Sequence, residues 1–130
     1  MKTGLFCAIV GVGVTGCATA PQTLPTVPTP VCISRPQCTA EWAAARTFVL
    51  DNAGYKIQIY SPDFLQTYNP GDESTSLAAT VNKQPMAGGA YKIVGSFWCN
   101  NMFGCFPDPT VTLDQFNRAV EAAGAMDGRR

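Results

Sequence analysis

Four cysteines, at positions 32, 38, 99 and 105, form two copies of Cys-x5-Cys near the two ends of the stretch from Cys32 to about Gly124. That stretch is roughly ninety residues long, a size at which one hydrophobic core is marginal and covalent staples help. An even cysteine count in a short exported domain reads as a disulfide framework. Structural zinc sites use Cys-x2-Cys knuckles, which this spacing does not supply. Four cysteines allow three pairings. The local pairs Cys32–Cys38 and Cys99–Cys105 are favoured, because the first loop holds Pro36 and the second Gly104, both turn formers. A crossed pairing that clasps the two ends of the domain together stays open.

Export is read from the start of the chain. Met1-Lys2 gives a positive charge, and the apolar run from Gly4 to Gly13 is shorter than the roughly 20 residues needed to span a bilayer. This is signal-peptide architecture, and the run ends in Val14-Thr15-Gly16-Cys17. Those four residues resemble the lipobox of bacterial lipoproteins: an aliphatic residue, two small ones, then the cysteine that receives lipid and becomes the mature N-terminus. The resemblance covers only the leader. An ordinary secretory leader cut near Ala18-Thr19-Ala20 is the alternative. The lipoprotein reading makes 1–16 a removed signal peptide, with Cys7 lost in it, and Cys17 the acylated anchor. It implies two or three acyl chains, palmitate among them, and stable anchoring needs more than one. Residue 18 is Ala rather than the Asp that commonly retains such proteins at the inner membrane, so the resemblance implies the periplasmic side of the outer membrane.

Residues 17–31 follow as a tether. Pro21, Pro25, Pro28 and Pro30 with four threonines and no charge make an extended spacer that buries no core. At about 3.1 Å per residue, the steps from Cys17 to Cys32 would reach up to roughly 45 Å.

Beyond Cys32 the patterns predict an α+β fold. Ala40, Ala43, Ala44 and Ala45 favour a helix starting near Thr39, with Glu41 in its first turn and Gly54 as its C-terminal stop. Trp42, Ala45, Val49 and Ala53, with Phe48 beside them, are its expected core stripe. Tyr55 to Tyr60 alternates, placing Tyr55, Ile57 and Ile59 inward and Lys56, Gln58 and Tyr60 outward. Ser61-Pro62-Asp63 and Asn69-Pro70-Gly71-Asp72 are turn signals around a short extended piece, Phe64 to Tyr68. A strand from about Ser76 to Lys83 would bury Leu77, Ala79 and Val81; one from Ala90 to Trp98 would bury Tyr91, Ile93 and Phe97 on the face shared with Cys99. Thr112 and Gln115 fit a capping box, with Val111 and Phe116 as a hydrophobic staple, for a helix from Leu113 to about Ala123 ended by Gly124. Residues 125–130 are then a polar tail. The expectation is an N-terminal helix, a three- to four-stranded antiparallel meander and a C-terminal helix, with both helices on one sheet face.

Function is constrained mainly by exclusion. Nine basic and nine acidic residues, scattered singly, leave no basic stripe for nucleic acid. The chain has no histidine, which removes the commonest general base and metal ligand. Asp72-Glu73 sits in a turn and Asp108 lies between two prolines, neither with an identifiable catalytic partner. No enzyme, metal or cofactor is therefore expected. The unusual segment is Cys99-Asn100-Asn101-Met102-Phe103-Gly104-Cys105, which places Met and Phe in a short, disulfide-closed loop. Asn100, Asn101, Met102 and Phe103 are candidate partner-binding residues, unless Met102 and Phe103 fold back beneath the C-terminal helix. Trp98, with Val94 and Ser96, is a further candidate on the outward sheet face beside Tyr60. The expectation is a membrane-anchored envelope lipoprotein, binding a protein partner as an accessory or structural factor. The alternative is a periplasmic small-ligand-binding or inhibitor module.

Overall fold

A computed structural model describes residues 24–129. The expected signal peptide, Cys17 and the first part of the expected tether lie outside the described residues. Five strands form one antiparallel sheet in the order β1-β5-β4-β3-β2, so one strand more than the expected three to four is present. The additional strand is β1, Val31–Cys32, which pairs with β5, Tyr91–Trp98. Two residues at the end of a proline-rich run carry no alternation that would announce a strand. The others are β2, Ile57–Tyr60, β3, Phe64–Thr67, and β4, Ala78–Pro85. From β2 to β5 the chain is the expected meander.

Helix α1, Arg35–Asn52, starts four residues before Thr39. Ser34 is its N-cap and accepts the Gln37 N–H, and Pro36 falls in the first turn, where its missing N–H costs nothing. Glu41 is therefore in the second turn and buried, not in the first beside the helix dipole. Helix α2, Pro109–Asp127, likewise begins early. Its N-cap is Asp108, which accepts the N–H groups of Thr110 and Val111, while Thr112 is buried with its hydroxyl donating to the Asp108 carbonyl. The expected Thr112 capping box is thus replaced by an Asp-Pro start one turn earlier. Gly124 does not stop α2, which continues through part of the expected tail to Asp127. None of the described helices is long and apolar enough to cross a membrane.

Both helices cover one sheet face. Trp42, Ala45 and Val49 of α1, Leu77, Val81, Ile93 and Phe97 of the sheet region, and Phe116 and Val120 of α2 form the core. Phe48, Phe97 and Phe116 meet edge to face, with centroids 5.5–6.0 Å apart. Phe116 lies over Gly95, where a Cβ would stand 2.8 Å from the ring. The glycine in the middle of β5 is thus a seat for an aromatic ring.

The disulfides pair locally, Cys32–Cys38 and Cys99–Cys105, with Cα separations of 5.0 and 5.6 Å. The first ties β1 to α1; the second closes the loop after β5. Residues 24–31, read as the end of the tether, are held against α2. The Asp114 carboxylate accepts hydrogen bonds from the Thr26 N–H, the Thr26 hydroxyl and the Val27 N–H at 2.7–2.9 Å. The Asn117 amide donates to the Val27 carbonyl, and Pro30 is buried.

The other sheet face carries neither of the two described helices. Register places Trp98 opposite Ala78, Ser96 opposite Thr80, and Val94 opposite Asn82. Tyr60 is not beside them. β2 lies at the far edge of the sheet from β5, and a bulge between Ile57 and Ile59 reverses the alternation. Ile59 consequently joins Gln66 and Thr80 on the open face, while Tyr60 turns to the helix side. There it stacks on Trp42 at 6.2 Å, with the Arg46 guanidinium 5.2 Å from its ring centre.

Candidate functional site

The loop after β5 is built on a neighbouring turn. Asn100 donates its backbone N–H to the Ser74 carbonyl at 3.2 Å, and Phe106 donates to the Thr75 carbonyl at 2.9 Å. Between these two moorings the Asn101 side chain works in both directions. Its amide donates to the Glu73 carbonyl and its oxygen accepts the Phe103 N–H at 2.9 Å. The Asn100 amide reaches the Asp72 carboxylate at 3.4 Å. The supporting turn is itself tied down, since the Tyr55 hydroxyl donates to Ser74 Oγ at 2.6 Å and accepts the Gly71 N–H at 3.3 Å.

With its ends bonded covalently and its stem held by main-chain bonds, the loop presents its apolar tip to solvent. Met102 is 89% exposed, Phe103 93% and Phe106 83%. Folding back beneath α2 is therefore not what Met102 and Phe103 do; the cystine sits against the core and the tip points away from it. Asp72 and Glu73 share with residues 100–103 the lining of a half-open hollow of about 650 Å³. Two carboxylates thus stand next to an apolar tip.

The candidates divide by role. Met102 and Phe103 are free to make contact, whereas Asn101 is a brace within the loop and Asn100 spans to the acidic turn. Trp98 is half-buried on the open sheet face, opposite the buried Ala78. Phe106, just past the cystine, is a further exposed apolar side chain that the sequence does not announce, because Phe-Pro-Asp-Pro reads only as a helix approach. The proximity of Asp72 and Glu73 rests on contacts spanning 28 residues of chain, as in the bond from Asn101 to Glu73, and no local pattern encodes it. Asp108 is engaged as the α2 cap. Among the described residues, no group of three or more His, Cys, Asp and Glu side chains is placed to hold a metal ion.

A second arrangement was not anticipated. Glu41 is 1% exposed between the helices; its Oε1 accepts the Gln37 side-chain amide at 2.8 Å, and its Oε2 is buried with no hydrogen-bond partner among the described residues. Burial raises its pKa above the ordinary carboxylate value, the Gln37 hydrogen bond opposes that shift, and the Glu121 charge adds to it. Comparison with known proteins places the chain in no group: no known family matches it, and no curated protein does.

Proposed function

We propose that this protein is a lipid-anchored binding factor of the bacterial cell envelope, held by acylated Cys17 at the periplasmic side of the outer membrane, and that the 99–105 loop engages a protein partner. The observation that carries the contact role is the exposure of Met102, Phe103 and Phe106 on a loop that is braced rather than mobile in design. A preorganised apolar tip loses little conformational entropy on docking. Large apolar side chains exposed within one short segment are a common mark of a contact surface. The anchor rests on the lipobox resemblance, with which the oxidising compartment implied by two disulfides is consistent.

The test uses a photo-crosslinking residue at position 102, because the Asn101 side chain is occupied in holding the loop. Expected is one dominant envelope protein captured in cells, lost when Phe103 is changed to Ser while the melting temperature stays within about 2 °C of the parent. Capture unchanged by Phe103→Ser, or no capture at normal expression, would remove the loop from the interface. The small-ligand alternative draws its support from the Glu41 region.

A further inference from the structure

Beneath residues 28–31 lies a second hollow of about 360 Å³, lined by Pro28, Pro30, Gln37, Glu41 and Glu121 among others. Its inner carboxyl is nearly inaccessible and half satisfied, since among the described residues one Glu41 oxygen has its amide donor and the other has none. No cation among the described residues balances it, and the only other charge acting on it is the like charge of Glu121. Room for this carboxyl is made deliberately: α2 carries Gly124 at the crossing, where a Cβ would lie within 2.8 Å of the Glu41 carboxyl carbon. A carboxyl so placed is tolerated either protonated, as burial favours, or ionised against a cation that enters beside it. We infer that this hollow is a binding site for a primary ammonium group, which enters between the two helices beneath the 28–31 segment, with Glu41 as the inner carboxylate and exposed Glu121 as the outer one.

The chemistry selects the ligand class. Calcium takes about six to eight oxygens, and two carboxylates do not supply them. A guanidinium pairs best with both oxygens of one carboxylate, but one Glu41 oxygen is already held by Gln37. One free oxygen, a second carboxylate nearby and proline walls suit a compact point charge on an aliphatic stem, as in a lysine side chain or a free alkyl amine. Proline rings offer the stem apolar contact without competing donors.

Titration of the ¹⁵N-labelled full chain at constant ionic strength tests this, with 1,5-diaminopentane in one series and N-acetyl-lysine-methylamide in another. Expected are saturable shifts of the Gln37 side-chain amide and of the Thr29 and Ala125 N–H signals, with affinity weakened about tenfold or more in Glu121→Gln and in Glu41→Gln. Saturation by the lysine derivative would assign the site to a protein side chain, and saturation by the diamine alone to a small amine; either supports the inference. No saturable shift, or affinity unchanged in Glu121→Gln, would overturn it. Glu121 is exposed, so that variant remains decisive even where Glu41→Gln does not fold. The outcome is independent of the 99–105 loop.

Discussion

Gly124 and Glu41 are one device in two residues. Alanine is favoured over glycine within a helix by about 1 kcal/mol, yet a methyl at position 124 meets the Glu41 carboxyl. Gly124→Ala should therefore destabilise the protein by about 1–3 kcal/mol through overpacking. In a Glu41→Ala background the same change should be neutral or stabilising, because the obstructing carboxyl is gone. Urea unfolding of the two single variants and the double variant measures the coupling. Additive effects would separate the two residues. Residue-level reading of the sequence fails here for a definable reason: glycine near the end of a helical pattern signals a stop when only the chain is considered, and a close approach only when the facing helix is known.

At the scale of elements, buried stripes were legible and boundaries were not. Trp42, Ala45 and Val49 on α1, Leu77 just before β4, Ala79 and Val81 on β4, and Ile93 and Phe97 on β5 are buried as their spacing predicts. The starts of both helices were misplaced because Pro36 and Pro109 look like loop residues, although each occupies a first turn. Alternation failed in β2, where a bulge inverts the faces of Ile59 and Tyr60. For the candidate site, the closed loop could be read from cysteine spacing, whereas its acidic neighbours and the brace by Asn101 needed tertiary contacts. The 24–31 segment was read by composition alone, and composition says nothing of Asp114 waiting on α2. Hydrogen bonds from Val27 and then Thr26 hold the Asp114 carboxyl below its usual pKa. A carboxylate whose folded-state pKa is lowered contributes stability above its ordinary value and loses it as pH falls through the lowered one. The segment should therefore stay docked at neutral pH and release only in acid, below the ordinary aspartate range. Protection of the Thr26 and Val27 amides, taken relative to their intrinsic exchange rates at each pH, should fall there, and at neutral pH in Asp114→Ala, with little change in the Cys32–Cys38 region. Equal exchange in parent and variant would show that Asp114 does not hold the segment.

At the scale of the whole molecule, the sheet separates two environments: a core closed by α1 and α2 on one face, and on the other a surface without a helix among the described residues, carrying Trp98, Val94, Phe64 and Ile59 among polar residues. The braced loop projects from the end of β5, apart from the Glu41 hollow between the helices. Anchorage is a property at this scale and has its own test. Cys17→Ser should move the protein from the membrane to the soluble envelope fraction and abolish labelling by an alkyne-tagged fatty acid, while the isolated protein keeps its melting temperature. Retained membrane association with retained label would dismiss Cys17 as the acceptor.

The docking of Thr26 and Val27 on Asp114 also changes how much space the domain can explore. With Cys17 as the proposed anchor, the leash from that anchor to the first docked residue ends at Thr26 rather than at Cys32, nine steps instead of fifteen, and its greatest possible reach falls from roughly 45 Å to about 28 Å. Effective concentration scales with about the inverse three-halves power of leash length, so a partner seated close to the membrane would meet the loop at about twice the local concentration. Releasing the segment would lengthen the leash without altering the contact surface.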